Sequence, residues 1–226
     1  MRPITVAIDG PAGAGKSTVA RRVASALGYT YIDTGAMYRA VALKGLREAV
    51  PVEDEEATAR LAAAARIGFA PGCDGEQRVL LDGEDVTEAI RSPEATRLSS
   101  PVSAIPAVRR VLVQRQQELG AGGGVVMEGR DIGTVVFPGA EVKVFLTASE
   151  DERARRRWLQ HVQKGEHVTL EEVLARQRER DLRDSSRADS PLRPAEDAVV
   201  IDSDGLSVDE VVDRVLALCR ERMADC

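Results

Sequence analysis

Asparagine is absent from this chain of 226 residues, and lysine and aromatic side chains are scarce. Without asparagine, the N-K-x-D pattern with which guanine-specific switch proteins bind their base is excluded. Four lysines stand beside twenty-seven arginines, so an arginine cluster carries less weight here than in a chain of ordinary composition. Aromatic residues make up 3% of the chain and hydrophobic residues 43%, which predicts a core built from Val, Leu, Ile and Ala.

The chain also lacks an excess of positive charge, a disulfide framework and a long apolar run. Its formal net charge of −6 argues against a nucleic-acid partner bound through a bulk positive field. Cys73, Cys219 and Cys226 show no metal-ligand spacing, and their odd number is typical of free thiols in a reducing compartment. No window approaches the roughly 18 apolar residues of a membrane span, and no signal-peptide pattern occurs. We therefore expect a cytoplasmic protein without a membrane partner.

Short apolar runs alternate with helical patterns along the chain, which predicts a parallel sheet covered by helices. Because 226 residues is near the upper end of a single core, we expect one domain with one or two inserted lobes. Three helix starts carry the capping-box pattern. The predicted strands span residues 4–9, 30–33, 125–128, 142–147 and 198–202, and the predicted boxes pair Ser149 with Glu152, Thr169 with Glu172, and Ser207 with Glu210.

A glycine-rich motif directly follows the first predicted strand and precedes a helical pattern at 18–27. Residues 10–17 read GPAGAGKS and match G-x-x-x-x-G-K-[ST], in which backbone N–H groups and a helix N-terminus bind a polyphosphate. Lys16, expected to be exposed in the loop, can reach the β and γ oxygens, and Ser17 can hold Mg²⁺. The expected ATP-binding residues are Gly10, Pro11, Ala12, Gly13, Ala14, Gly15, Lys16, Ser17 and Thr18.

Two stretches interrupt the alternation and are predicted to form lobes. Within 50–100, residues 66–70 and 77–82 flank the sequence PGCDG and end at Asp82-Gly83, which predicts a small antiparallel hairpin. Residues 150–193 hold ten arginines and one lysine balanced by ten acidic residues. That second composition fits either a solvated helical pair with i,i+4 ion pairs or a phosphate-binding surface.

Spacing within the second lobe favours the phosphate-binding interpretation. On the helix that Thr169 opens, Arg176, Arg180, Asp184 and Arg187 recur at intervals of four, four and three, so their directions differ by at most roughly 80°. Planar guanidinium groups bind phosphate oxygens in bidentate fashion, and several on a movable segment can neutralise charge during a transfer.

Two further motifs follow predicted strands, DTGAMYR at 33–39 and MEGRDIG at 127–133. Ligands of open α/β sheets bind at the carboxyl ends of the strands, so these motifs and the glycine-rich loop are expected on one rim. A second anion site on that rim would place two phosphorylated ligands head to head, which is the geometry of a phosphotransferase.

The chain resembles the bacterial-type cytidylate kinases over essentially its whole length. The motifs GRDIGTVVFP and RDLRDSSR are specific to that family, whereas the glycine-rich P-loop indicates only the superfamily. The full set comprises DGPAGAGKST, DTGAMYRA, Ser100, PAVRR at 106–110, EGRDIGTVVFPGAEVKVFLTAS and RQRERDLRDSSRADSPLRPAEDAVVIDS.

The resemblance implies an α/β fold of the P-loop NTPase type, a three-layer sandwich with a five-stranded parallel sheet, an inserted small antiparallel β lobe and a helical lid. It implies one domain over 1–226, with a core of about 1–49, 101–149 and 194–226, a monophosphate-binding insert of about 50–100, and a lid of about 150–193. It also implies a monomer.

The resemblance further implies a set of CMP contacts. Cytosine presents an N4 donor beside its N3 and O2 acceptors, which suits a carboxylate, Asp131, and an arginine, Arg109. Arg39 and Arg130 suit the acceptor phosphate, and Asp184 the sugar hydroxyl. The sequence departs from the family at Glu128, Thr34 and Pro101, where Asp, Ser and another residue are usual. The implied contacts are Thr34, Tyr38, Arg39, Ser100, Arg109, Arg130, Asp131, Arg180, Asp184 and Arg187, and the implied Mg²⁺ ligands are Ser17 and, through water, Glu128.

The expected reaction transfers the γ-phosphoryl group of ATP in line to CMP or dCMP, with Mg²⁺. No general base is required because the acceptor is already anionic, and both histidines, His161 and His167, are expected at the surface. Catalysis is expected from Lys16 and from the lid arginines Arg180, Arg183 and Arg187. Two alternatives stay open: another P-loop monophosphate or small-molecule kinase, and an ATP-binding switch protein.

Overall fold

Strands and helices alternate through most of the structure, a computed structural model that describes residues 3–72 and 77–224. A 3-10 turn spans Ala89–Arg91 and a π-helical turn spans Ile132–Val136. In chain order the other elements are β1 Thr5–Asp9, α1 Lys16–Leu27, β2 Thr30–Asp33, α2 Thr34–Arg47, α3 Glu55–Ala64, β3 Ile67–Pro71, β4 Gln77–Leu81, β5 Glu84–Asp85, α4 Pro93–Ala104, α5 Pro106–Gly120, β6 Val125–Gly129, β7 Val142–Thr147, α6 Glu150–Gln163, α7 Leu170–Ser186, β8 Val199–Asp202 and α8 Val208–Ala224.

The main sheet is parallel and has five strands in the order β2-β6-β1-β7-β8. Its central strand, β1, pairs in parallel with β6 and with β7, so that Ala7 lies opposite both Met127 and Lys143. All residues of β1 and β6 are buried, as expected for parallel strands covered on both faces. The predicted α/β class and the five predicted strands are confirmed, and the strand ends agree within one residue.

The chain forms two compact units, Met1–Tyr31 with Gly122–Cys226, and Ile32–Ala121. The first unit has an aliphatic core in which α1 and α8 contribute Val19, Val23, Val211 and Val215, as the composition predicts. Cys219 is a free, buried thiol in this core, and burial raises its pKa to about 11. Cys73 and Cys226 lie outside the described residues. The finer division into core, insert and lid stays a prediction.

The second unit contains α2 to α5 and a separate three-stranded sheet of order β3-β4-β5. Strands β3 and β4 pair antiparallel with Ile67 opposite Leu81, which confirms the predicted hairpin. Residues 73–76 of the predicted PGCDG turn lie outside the described residues. The turn from β4 to β5 takes positive φ at Asp82 and Gly83, 54° and 93°, which suits the Asp-Gly pair. Strand β5 was not predicted, because two residues are too short for a periodic pattern.

Two of the three predicted capping boxes are confirmed and one is wrong. The reciprocal bonds are present at Thr169 with Glu172 and at Ser207 with Glu210. At α6 the Ser149 hydroxyl accepts from Glu152 N, but the Ser149 N–H donates to the Asp204 carboxylate at 3.1 Å. The spacing rule describes one helix and does not register a competing carboxylate from another part of the chain.

Within residues 3–72 and 77–224, no helix is long and apolar enough to cross a bilayer.

Helix α5 offers a test of the second unit's core. Leu112 is fully buried, whereas Leu119 on the same helix is 40% exposed. We expect Leu112→Ala to lower the free energy of unfolding by about 2–5 kcal/mol, because it removes buried methyl groups and leaves a cavity. The matched variant Leu119→Ala should change it by no more than about 0.5 kcal/mol. Urea unfolding of both variants measures this, and equal losses would contradict the packing described.

Candidate active site

The glycine-rich loop connects β1 to α1 and lies against β7. Gly10, Gly13 and Gly15 have φ values of 147°, 80° and 89°, which residues other than glycine rarely adopt. A Cβ atom on Gly10 would stand 1.9 Å from the backbone oxygen of Leu146, so the first glycine is required by the close approach of two backbone segments. The loop therefore follows the central strand in a fixed conformation.

Lys16 is the first residue of α1 and is only 6% exposed. Its Nζ donates a hydrogen bond to Pro11 O at 2.7 Å within the same loop. The expectation of an exposed lysine is wrong, because the loop folds around the ammonium group. Ser17 is half-buried and Thr18 exposed, so the predicted ATP-binding residues differ widely in their access to solvent.

The environment of Lys16 is unusually cationic for a buried amine. Burial, together with the nearby charges of Arg130 and Arg180, lowers the pKa of Lys16 to about 7, against the opposing effect of Glu128 and Asp9. A polyanionic ligand at this position would restore the charged form of the lysine, because it would offset both burial and the repulsion by the arginines.

The carboxylate of Asp184 lies among three of the predicted arginines, Arg130, Arg180 and Arg187. Arg130 Nε donates to Asp184 Oδ2 at 2.9 Å, and Arg180 Nε lies 4.0 Å from the same oxygen. Burial alone would raise the pKa of Asp184, but Arg130 and Arg180, with Arg187, hold it below its ordinary value. Sequence spacing thus correctly placed Arg180, Asp184 and Arg187 together, although Arg176 of the same stripe is exposed.

The interpretation of residues 150–193 as a solvated helical pair with surface ion pairs also describes part of this segment. Arg183 Nη2 donates to Glu179 Oε1 at 2.5 Å in an i,i+4 pair. Arg178 pairs with Glu150 across α6 and α7 at 2.9 Å, with both side chains more than half exposed. Surface ion pairs and the cluster around Asp184 therefore coexist on one helix.

Three acidic residues lie at the carboxyl ends of β1 and β6. Glu128 is buried and accepts from the Tyr31 hydroxyl at 2.5 Å. Asp9 accepts from the backbone N–H groups of Ile132 and Gly133, both at 2.8 Å, and thereby holds the turn that follows buried Asp131. Burial raises the pKa of Asp9 to about 6, against the lowering effect of those two donors. Sequence reasoning missed Asp9, although its place directly before the glycine-rich motif was a usable signal.

In the second unit, the start of α2 is built around Asp33. The Asp33 carboxylate accepts from Ala36 N at 3.1 Å, as a helix N-cap does, and from Arg39 Nη2 at 2.7 Å. Thr34 is buried at the first helical position. Asp33 was not predicted to be a functional residue, yet its carboxylate orients Arg39.

Tyr38 and Arg109 of the second unit contact each other. The Arg109 guanidinium lies 5.8 Å from the centroid of the Tyr38 ring, in the range of a cation–π contact. Arg109 is only 2% exposed, and its Nη1 donates to Ser103 O at 3.2 Å. Ser100 is buried on α4, the helix that also carries Ser103.

Neither histidine takes part in these clusters. His161 pairs with Glu166 and His167 is exposed, as expected for surface histidines. Within the part of the chain that the structure describes, no group of three or more His, Cys, Asp or Glu side chains forms a potential metal site.

A parallel sheet whose central strand leads into a P-loop, with arginines close to the lysine of that loop, defines the class of P-loop kinases. The family model for cytidylate kinase matches residues 6–221. The chain therefore belongs to the cytidylate kinase family.

Individual relatives agree with this assignment. A cytidylate kinase from Desulforamulus reducens is 56% identical over 211 residues, which cover 93% of this chain and 94% of that protein. A bifunctional pantoate ligase/cytidylate kinase from a Synechococcus strain is 54% identical over 222 residues, 97% of this chain. The chain spans only 41% of that longer relative. The crystal structure of an uncharacterized protein from Eubacterium ventriosum has a TM-score of 0.50 at 12% identity, covering 95% of this chain and 96% of that one, and shows the fold alone.

Asp9 predicts a pH dependence of stability. Its pKa rises from an ordinary value of 3.8 to about 6 on folding, so its unfavourable contribution grows as the pH rises between these values. The unfolding free energy of the parent minus that of Asp9→Ala should therefore fall by on the order of 3 kcal/mol between pH 3.5 and pH 7.

Asp85 is the matched control, because its hydrogen bonds with Thr87 lower its pKa. For Asp85→Ala, the same difference should rise with pH. Urea unfolding across this pH range measures both differences, and a flat or rising curve for Asp9 would contradict the assignment.

Proposed function

We propose that the chain catalyses the ATP-dependent phosphorylation of CMP and dCMP to CDP and dCDP. The observation that carries the proposal is the buried Lys16 of the P-loop, whose pKa is lowered by burial and by Arg130 and Arg180. Three cationic groups so placed are most stable around phosphate oxygens, and the family indicates which phosphates they bind.

ATP is the proposed donor, bound through residues 10–18. The positive φ values at Gly10, Gly13 and Gly15 suit a loop whose backbone N–H groups turn toward a polyphosphate. Lys16 would exchange its hydrogen bond with Pro11 O for the β and γ oxygens. Its ammonium group would then stabilise the charge that develops on the transferred phosphoryl group.

Magnesium fits the donor set proposed for it. Ser17 supplies a hydroxyl and Glu128 a carboxylate, and oxygen donors of this kind, completed by waters and substrate phosphates, are what Mg²⁺ prefers. Tyr31 holds the Glu128 carboxylate by a hydrogen bond of 2.5 Å. When bound, Mg²⁺ supplies neutralisation of phosphate charge.

For the acceptor, we propose that Arg130 binds the phosphate of CMP and that Asp184 accepts from a sugar hydroxyl. The 2.9 Å bond between these side chains supports a shared role, because it fixes the orientation of both. Arg180 and Arg187 lie within electrostatic range of the same carboxylate and are proposed to neutralise charge during transfer. Arg183 is proposed to assist them from its ion pair with Glu179.

Base recognition is proposed for Asp131 and Arg109. A buried carboxylate can accept from the exocyclic N4 amine of cytosine, and a buried guanidinium can donate to its acceptors. The roles of Thr34, Tyr38, Arg39 and Ser100 in CMP binding stay predictions.

No residue is needed as a general base, because the phosphate oxygen that attacks is already anionic. Closure of the lid would exclude water, the competing acceptor. We further propose a cytoplasmic monomer that acts without nucleic acid or membrane partners. The formal net charge of −6 supports the absence of a nucleic-acid partner. The arginine cluster around Asp184 favours transfer over a switch that only binds ATP.

A coupled assay of ADP release with CMP, dCMP, UMP, AMP and GMP tests the proposed function. The parent should turn over CMP and dCMP with the highest kcat/KM. Asp131→Ala should lose activity toward CMP and narrow the CMP to UMP ratio of kcat/KM, since uracil presents a carbonyl where cytosine presents an amine. The ratio should change by about ten- to a hundredfold, the effect of one repelled buried polar group.

The panel also separates the alternatives. Turnover of another acceptor in preference to CMP would identify a different kinase, and ADP release that no acceptor stimulates would argue for a switch. An unchanged CMP to UMP ratio in Asp131→Ala would show that cytosine is recognised elsewhere.

The lid arginines give an independent prediction. Arg180→Ala and Arg187→Ala should each lower kcat by about a hundredfold or more, because each removes a cation from the transferring phosphoryl group. Arg178→Ala, from the exposed pair with Glu150, is the control on the same helix and should leave kcat near the parental value. Steady-state kinetics and thermal melting of all three variants check this, and parental kcat in both lid variants would restore the interpretation as a solvated surface.

A further inference from the structure

Arg153, on α6, has a buried guanidinium that touches the P-loop, although no sequence motif distinguished it. Its Nη1 donates to Ala12 O at 3.0 Å and to Asp181 Oδ2 on α7 at 2.5 Å. Its Nε donates to Ala148 O at 3.0 Å, at the end of β7. The side chain is only 6% exposed, so these contacts replace its hydration. One planar group thus joins the loop, the sheet and α7.

The contact with Ala12 O bears directly on the shape of the phosphate-binding loop. In a trans peptide the C=O of one residue and the N–H of the next point in opposite directions. A donor that holds Ala12 O therefore also fixes the direction of the Gly13 N–H. Gly13 has a φ of 80°, and a Cβ atom there would stand 3.1 Å from Arg153 Cβ and 3.3 Å from Gln177 Oε1. The loop is packed against α6 and α7 at this residue.

The contact with Asp181 bears on the helix that carries the catalytic arginines. Asp181 directly follows Arg180 and stands three residues before Asp184, less than one turn of α7. Gln177, one turn earlier, donates through Nε2 to Glu150 O on α6 at 3.3 Å. These two bonds fix the rotation of α7 about its axis, and hence the direction in which Arg180 and Asp184 project.

We propose that Arg153 is a positioning residue that holds the P-loop and helix α7 in a fixed position relative to each other. The N–H groups that bind the phosphate donor and the cations of α7 are thereby placed together. The inference rests on the proposed function for the identity of the reaction. The chemistry of the residue explains its use, because the planar guanidinium donates to a carbonyl and a carboxylate at once, which the point charge of a lysine does poorly. Burying this charge is tolerable only because Asp181 neutralises it.

The alternative is that Arg153 merely stabilises the packing of α6 on α7. Arg178 and Glu150 provide an internal comparison, since they join the same two helices by an arginine–carboxylate pair that is exposed to solvent. A structural role predicts an effect of Arg153 on the melting temperature alone. A positioning role predicts effects on ATP affinity and on kcat.

The test uses Asp181→Asn, Arg153→Lys and the double variant, with Arg178→Ala as the control. Calorimetric titration with ATP, in the absence of CMP, should show about tenfold weaker binding in each single variant, because the Gly13 N–H is no longer held toward phosphate. The kcat with CMP should fall by about ten- to a hundredfold, the cost of misplaced catalytic groups. The losses of ATP affinity and of kcat in the double variant should be no larger than those in the more impaired single variant, because each of the three variants breaks the same contact between Arg153 and Asp181.

Each outcome decides the inference. Parental ATP affinity and kcat in Asp181→Asn, with only a lower melting temperature, would overturn it, as would additive losses in the double variant. If Arg153→Lys does not fold, the isosteric Asp181→Asn decides by the same two measurements. If the parent binds ATP but does not phosphorylate CMP, the proposed function fails, whereas the ATP affinities still test the positioning role.

Discussion

The confinement of positive charge in a buried site is the constraint on which the first unit depends. Lys16 is removed from water at the start of α1, with Arg130 and Arg180 close enough to lower its pKa. Such a group of cations is tolerated only where backbone oxygens and carboxylates surround it. Pro11 O, Glu128 and Asp9 provide this near the lysine, and Asp184 does so near the arginines. The backbone and the carboxylates around the P-loop are thus arranged to compensate the buried charges of Lys16, Arg130 and Arg180.

The charge compensation in this unit therefore depends on where the acidic residues lie rather than on how many there are. Asp9 holds a turn by two backbone N–H groups, Glu128 is oriented by a tyrosine, and Asp184 by an arginine. Each carboxylate ends a strand or lies on a helix that the sheet or α6 supports, so its direction is set before any ligand arrives. Preorganised groups of this kind need little rearrangement during a reaction, which is where electrostatic stabilisation has its largest effect.

The sequence predicts what depends on local patterns and misses what depends on distant neighbours. Five strands, the hairpin formed by β3 and β4 and the stripe formed by Arg180 and Asp184 follow from periodicity, turn chemistry and helical spacing. The burial of Lys16 was missed because a loop's own folding decides it. The lost half of the Ser149 capping box and the contact of Arg153 with Ala12 O were missed because their partners lie 55 and 141 residues away along the chain. No spacing rule reaches that far.

The attachment of the P-loop to β1 has a consequence for how the molecule opens. Strand β1 is buried on both faces and hydrogen-bonded on both edges, by β6 and β7. Segments with that protection exchange their amide hydrogens only through the largest unfolding events, while exposed helices and edge strands open locally at lower free energy. The N-terminal end of the loop, at Gly10, is therefore anchored in the region of highest local stability. Local opening of α7 or of the edge strand β8 can therefore occur repeatedly while the N-terminal end of the phosphate-binding loop, at Gly10, keeps its structure.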